Sequence, residues 1–493
     1  MSRPDKSPSL LDVFIPVLVL IAGLLAIIFT FRDDAGGYTS LALMASAAAA
    51  CLVGVKNGLS WQYLEQGMVK SVAGGLKAIL ILLTVGALVG GLILAGTVPA
   101  IIYWGTQLMS PQWFYLATAL ICAITGLSIG SSWTVAGALG VGLMGAAVAM
   151  GLSPGITAGA VISGAYLGDK LSPLSDTTNL AAGITGNDLF HHIRHMGWTT
   201  IPAFTIALLV YAIAGFGVGD VEISSNLVQV NDALEQQFYL GFPVFLPLVI
   251  IFALAIWRRP VLPALWLGVL STILVALWVQ RSRIYGLAGG EDAGNLFKGV
   301  ALALMDGFSI ETGSPMLDKL LSKGGMSNML STVFLIVCAL SFGGAYERSG
   351  LLERAIKAIL SGVKTVGGLI SATLATSIGT NVACADQYIA IVVPAKMYKD
   401  VYRERGLHGL NLSRAIEDAG TLTSVLVPWN TCGLFMASTL GVATWTYAPW
   451  AILCWICPII SALYGYLSFR ILPLEPAGNG VSSSGSVNSE IAH

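Results

Sequence analysis

Residues Ser128 to Ala182 read SIGSSWTVAGALGVGLMGAAVAMGLSPGITAGAVISGAYLGDKLSPLSDTTNLAA. The first part is apolar and rich in small residues. It is long enough to cross a bilayer more than once, at about 20 apolar residues per helical crossing. The last apolar run then turns polar: GDKLSPLSDTTN sets Asp169, Lys170, Asp176, Thr177, Thr178 and Asn179 around Pro173. Polar, helix-breaking backbone at membrane depth is costly, and it is tolerated where it lines a cavity or an ion path. The rest of the chain reads as a frame around this stretch and a later partner to it.

The 493-residue chain is 55% hydrophobic and 10% charged, with mean hydropathy +0.79. A soluble domain carries roughly 25% charged residues, so the sequence describes an all-α, polytopic membrane protein whose standing partner is a lipid bilayer. A net charge of −1 excludes a nucleic-acid binder. Cys454-Trp-Ile-Cys457 has redox spacing but lies inside a hydrophobic span, where small apolar packing explains it. The first apolar run, Leu10 to Phe31, is too long for a signal-peptide core and reads as a retained first span.

Taken in order, the apolar runs predict about 11 to 13 membrane segments, some of them re-entrant hairpins. The segment KNGLSWQYLEQGMVKSVAGG reads as an interfacial helix before a span near 76–95. ITGNDLFHHIRHMG reads as a polar, basic loop. Residues 220–237 hold four acids and neither Lys nor Arg, which places this linker outside the cytoplasm. Arg258-Arg259-Pro260 and the basic loop KDVYRERGLHGLNLSR belong inside, as do both termini. The Gly/Ser-rich tail, 473–493, reads as disordered.

The two halves, 1–219 and 238–472, echo each other. FIPVLVLIAGLLAII matches FPVFLPLVIIFALAI, and ALVGGLILAGTVPAII matches ALSFGGAYERSGLLERAI. LSIGSSW matches TSIGTNV, and SPLSDTTNLAA matches LVPWNTCGLFMA, which sets Pro173 opposite Pro428. The four matches keep one order, the mark of a repeat. The loop between the motif arms is uncharged in the first half and strongly basic in the second, so the repeat is predicted to be inverted across the membrane. Inverted repeats with broken helices are the architecture of secondary transporters.

Four interruptions then become the candidate site. Two are small polar turns, at Gly130-Ser131-Ser132 and Gly379-Thr380-Asn381; two are proline-flanked, at Ser175–Asn179 and Trp429-Asn430-Thr431. Unwound carbonyls with Ser, Thr and Asn oxygens suit a hard cation such as Na+. The acids in or beside apolar runs are Asp169, Asp176, Asp386, Glu417 and Asp418. A carboxyl group that can hold Na+ or a proton, but not both, is sufficient to couple the two. Asp386 and Asp176 are the favoured carriers, and a Na+ set of Asp176, Asn179, Asn381, Asp386 and Asn430 is the sharpest form of the reading. Structural ion pairs, Asp169 with Lys170 and Asp418 with Arg414, are the plainer explanation for two of these acids. Glu311 and Asp306 sit in a segment that reads as a hairpin or an interfacial turn. His191 and His195, four apart beside His192, suit a metal pair or a pH sensor, against the plainer reading of a surface helix. No HExxH or P-loop is present, and Tyr166 stands where an intramembrane aspartyl protease needs Gly, so no enzyme is expected.

Several long motifs resemble the NhaC-type Na+/H+ antiporter family of the ion-transporter superfamily. They are GSSWTVAGALGVGLMG, AGAVISGAYLGDKLSPLSDTTNLAA, DLFHHIRHM, FSIETGSPMLDKLLSKGGMSNML, SFGGAYERSGLLE and VPWNTCG. The resemblance extends to about Leu472. It implies a bacterial inner-membrane exchanger of sodium for protons, with no cofactor beyond the transported ions and with two copies able to pair. It points at Asp169, Asp176, Thr177, Thr178 and Asn179 in one half and Asn381, Asp386, Asn430 and Thr431 in the other. Proteins of this kind also exchange malate and protons for lactate and Na+, or serve amino-acid uptake. An anionic cargo would want a helix N-terminus or a basic group, and Lys170 and Lys396 are the evident bases near the motifs.

Overall fold

The computed structural model describes residues 7–31, 38–217, 223–310, 318 and 321–474. Glu311 and the tail from 475 onward lie outside them. All regular structure among the described residues is helical, apart from one isolated bridge between Leu407 and Pro473. Nine of its helices are long and apolar enough to cross a membrane, or up to eleven if each of two bent pairs is one span. This falls at or below the range read from the sequence. Several apolar stretches form helices too short to span: Thr97–Leu108, Asp176–Thr185, Ala293–Met305 and Thr431–Leu440.

Local chemistry sets the ends. Pro111 and Pro154 occupy first-turn positions, where the missing N–H is not needed. Ser60, Ser153, Ser175 and Asp188 accept from a first-turn N–H in the helices they precede. Gly130, Gly186 and Gly441 end helices in the left-handed conformation.

Three expectations about elements are corrected. The supposed interfacial helix and the span after it are one 34-residue helix, Trp61–Leu94. At 1.5 Å per residue it is about 50 Å long, well beyond a hydrocarbon core of about 30 Å. Its N-terminal third therefore carries Gln62, Glu65 and Lys70, while Val85–Leu94 is buried. The loop ITGNDLFHHIRHMG is mostly the start of a helix, Leu189–Phe216, capped by Asp188. Most of the acidic linker is also a helix, Ile223–Gln237. It docks on Thr97–Leu108, where Tyr103 hydrogen-bonds Glu235 and Thr106 Oγ1 donates to Asn231 Oδ1 at 3.0 Å.

Close packing positions the site. Helices Pro111–Ile129 and Pro154–Leu171 meet through Gly126, Gly164 and Gly168. A Cβ at Gly168 would stand 2.3 Å from the carbonyl carbon of Gly126. Small residues spaced four apart let membrane helices approach backbone to backbone, and this approach brings Asp169 to the start of the next helix.

Element boundaries recur. A shift of 255 residues carries Pro111–Ile129 onto Val366–Cys384 and Ser132–Ala149 onto Gln387–Glu404. The same shift carries Asp176–Thr185 onto Thr431–Leu440. It also carries Gly130 onto Ala385, both left-handed, and the caps Ser131 and Ser175 onto the caps Asp386 and Asn430.

Candidate ion-binding site

Four chain breaks surround one cavity. The first is Gly130–Ser131, where Gly130 has φ +71° and Ser131 caps the following helix. The second is Ser172–Ser175, before the ten-residue helix Asp176–Thr185. The third is Ala385–Asp386, where Ala385 has φ +55° and Asp386 Oδ1 accepts from Ile389 N at 2.9 Å. The fourth is Val425–Asn430, where Asn430 Oδ1 accepts from Cys432 N at 3.0 Å. Breaks of the same half touch: Thr431 N donates to Ala385 O at 3.0 Å, and a Cβ on Gly130 would lie 2.7 Å from the Leu174 backbone. Breaks of opposite halves are tied through Tyr388, whose hydroxyl donates to Asp176 Oδ2.

The cavity is about 590 Å³. Of the residues read from the sequence it collects Ser131, Ser132, Asp169, Asp176, Thr177, Asp386 and Thr431. Its charged lining is balanced, with Asp169, Asp176 and Asp386 against Lys77, Arg258 and Arg259. Asp169 Oδ2 accepts from Ser132 N at 3.2 Å and Ser132 Oγ at 2.7 Å, while Oδ1 is buried with no protein partner. A carboxylate held by one oxygen and unpartnered at the other has a lone-pair face left for a hard cation. Asp176 sits at the more exposed side, where Lys77 Nζ approaches it at 3.3 Å. The aromatic Trp133 lines the cavity and stacks on Phe435, ring centroids 4.1 Å apart. A smaller cavity of about 320 Å³ shares Gly74, Asp386 and Tyr388 with the first.

Helix N-termini face this space from all four breaks, because Ser132, Asp176, Gln387 and Thr431 each open a helix and line the cavity. Free first-turn N–H groups make each end partly positive. The acids at Asp169, Asp176 and Asp386 sit where those ends favour negative charge.

Five of the predicted residues brace the breaks and do not line the cavity. Thr178 Oγ1 donates to Lys170 O at 3.0 Å, and Asn179 Nδ2 to Ser175 O at 2.6 Å. Thr380 Oγ1 donates back to Thr376 O at 2.8 Å. Asn381 Nδ2 donates to Gly420 O at 2.8 Å, and Asn430 Nδ2 to Asn381 Oδ1 at 3.1 Å. The turn expected at Gly379-Thr380-Asn381 does not exist: helix Val366–Cys384 runs through it, and the break falls at Ala385–Asp386. The hydroxyl and amide of a buried helix can bond carbonyls without unwinding it.

The ion pairs also differ from expectation. Asp169 does not pair with Lys170, nor Asp418 with Arg414. Lys170 and Asp418, both fully buried, pair with each other across the two halves. Thr199 Oγ1 supports Asp418 at 3.0 Å. Arg414 instead donates from Nη1 to Arg470 O at 3.0 Å. The histidine reading is half corrected: His191 is exposed beside Asp188, but His192 and His195 are buried, His192 Nδ1 meeting Ser413 Oγ at 2.9 Å. Lys396 is exposed and lies outside the cavity. No cluster of three or more His, Cys, Asp or Glu suited to a metal occurs among the described residues.

Sequence reading missed Lys77, Tyr388, Gln387 and the arginines of the 258–259 joint as lining residues. Lys77 carried a signal, since it stands alone in GGLKAILILL with apolar sequence on both sides. The arginines were read only for topology.

Fold and site together define a polytopic, all-helical membrane protein with broken helices converging on one charge-balanced cavity. The model of the Na+/H+ antiporter family matches residues 164–469. The chain belongs to that family. It is 36% identical over 454 residues to the Na+/H+ antiporter NhaC of Alkalihalophilus pseudofirmus, covering 92% of this chain and 96% of that one. It is 35% identical over 479 residues to the arginine/ornithine antiporter ArcD of Halobacterium salinarum, covering 96% and 95%. It is 32% identical over 456 residues to the malate-2H+/Na+-lactate antiporter of Bacillus subtilis, covering 91% and 94%.

Proposed function

We propose that the chain exchanges Na+ for H+ by alternating access, with the 590 Å³ cavity as the cation site. The observation that carries this reading is Asp169: a buried acid between two helix breaks that lines the cavity, with one oxygen fixed by Ser132 and the other buried without a partner. Ser131, Thr177 and Thr431 add oxygens, and Asp176 and Asp386 add charge. When the cation leaves, a proton taken up by the protein restores neutrality, so one ion's departure is coupled to the other's entry. The reading assigns no chemical reaction to the protein. It places the chain in a bacterial inner membrane, with the two repeats oppositely oriented and both termini cytoplasmic, on the strength of the basic segments at 258–259 and 399–414.

In liposomes carrying an imposed pH gradient, Na+ added alone is expected to collapse the gradient. A response that requires malate, lactate or an amino acid as well would replace this reading by a second one, coupled transport of a small organic anion or amino acid. Four helix N-termini and three basic side chains around a cavity roomier than a bare cation needs favour that second reading. The ArcD and malate–lactate relatives agree with it.

A further inference from the structure

Behind the cavity lies a group of buried charges that the exchange reading leaves unused. Glu417 opens a π-helical turn, Glu417–Thr421, in the second half. Such turns hold one extra residue and recur at functional sites. The Glu417 side chain is fully buried. Its Oε2 accepts from Thr421 Oγ1 at 2.7 Å, and its Oε1 is buried without a partner.

Neither of the two buried cations nearby forms an ion pair with Glu417. Lys170 pairs with Asp418 and reaches Cys457 Sγ at 3.4 Å. Arg414 donates from Nη1 to the Arg470 carbonyl, and its Nε and Nη2 are buried without a partner. From the neighbouring helix Leu189–Phe216, His192 and His195 turn toward this group, each with Nε2 buried and unpartnered. An ionised Glu417 would thus stand buried with one hydroxyl donor and, with Lys170 taken by Asp418 and the acid Asp169 also near, without a cation of its own, which is unfavourable. A proton supplies the missing charge.

Two connections run from this turn to the cavity. Lys170 follows Asp169 on one helix, so the two side chains serve the cluster and the cavity in turn. Asn381 Nδ2 bonds Gly420 O inside the π turn at 2.8 Å, and Asn381 Oδ1 accepts from Asn430 at the fourth break.

We propose that Glu417 carries the proton of the exchange, at a site separate from the cavity that takes the cation. The proposal rests on the exchange reading above. The test uses the full chain in liposomes and compares Na+-driven proton flux with exchange of radiolabelled Na+ for Na+. In Glu417→Gln, proton flux is expected to fall roughly a hundredfold while Na+/Na+ exchange persists. Retained proton flux, or loss of both activities together, would overturn the proposal. Wild-type protein that exchanges Na+ but moves no protons would sink the exchange reading itself. A second arm needs no variant: dicyclohexylcarbodiimide, which attacks protonated carboxyl groups in apolar surroundings, is expected to label Glu417 as it abolishes proton flux. Inhibition with adducts only on other acids would overturn the assignment.

Discussion

At the level of single residues, Asp169 does most to define the site. Its Oδ2 is tied to Ser132 and its Oδ1 is buried without a partner. Asp169→Asn keeps the size and one acceptor but removes the charge. Na+-driven proton flux in liposomes is expected to fall by roughly a hundredfold or more, with folding intact by gel filtration. The Lys170–Asp418 pair makes a different prediction. Lys170→Met leaves Asp418 buried without its partner and should cost about 3–5 kcal/mol, read as a fall in melting temperature in detergent. Combining Lys170→Met with Asp418→Leu should recover most of that loss, because the stranded charge is then gone. The sequence made both acids visible by setting them in apolar runs. It could not give their partners, because Lys170 and Asp418 are distant in the chain and only the packing of two halves joins them. Adjacent or one-turn neighbours were the natural guess, and tertiary geometry overrode it.

Among elements, the breaks at Ser175 and Asn430 were legible because a proline precedes each and a capping side chain follows. The break at Ala385 was not. Alanine in left-handed backbone leaves no mark in a sequence, whereas the polar residues at 379–381 drew attention to a helix that never unwinds. Two substitutions separate strain from function here. Ala385→Gly removes a steric penalty of about 1 kcal/mol or more, so a higher melting temperature is expected. Gly130→Val places a side chain against the Leu174 backbone, with the first carbon only 2.7 Å away, at φ +71°. It should displace Ser131 and Ser132 and lower flux at least as far as Ser132→Ala does, measured in the same liposomes.

For the molecule as a whole, composition alone settled that the chain lives in a membrane, since few charges accompany so much apolar sequence. The count of crossings was less legible, because apolar helices of ten to thirteen residues, such as Thr431–Leu440 and Ala293–Met305, look like spans until their lengths are known. The topology argued from basic segments has a direct check. A single cysteine at Arg258 should react with a membrane-impermeant maleimide from the cytoplasmic side only, and one at Asp232 from the opposite side only. The reverse pattern, or labelling of both from one side, would discard the assigned orientation.

Three acids facing three bases around the cavity also bear on how the protein feels voltage. Empty, such a chamber has no formal charge for an electric field to push. Occupied by Na+ before any proton has been surrendered, it gains one elementary charge, worth about 2.3 kcal/mol per 100 mV if it crosses the whole membrane potential. Surrender of the proton cancels that charge, so voltage should act on the uptake of Na+ from each face and leave the crossing step of a one-for-one exchange nearly untouched.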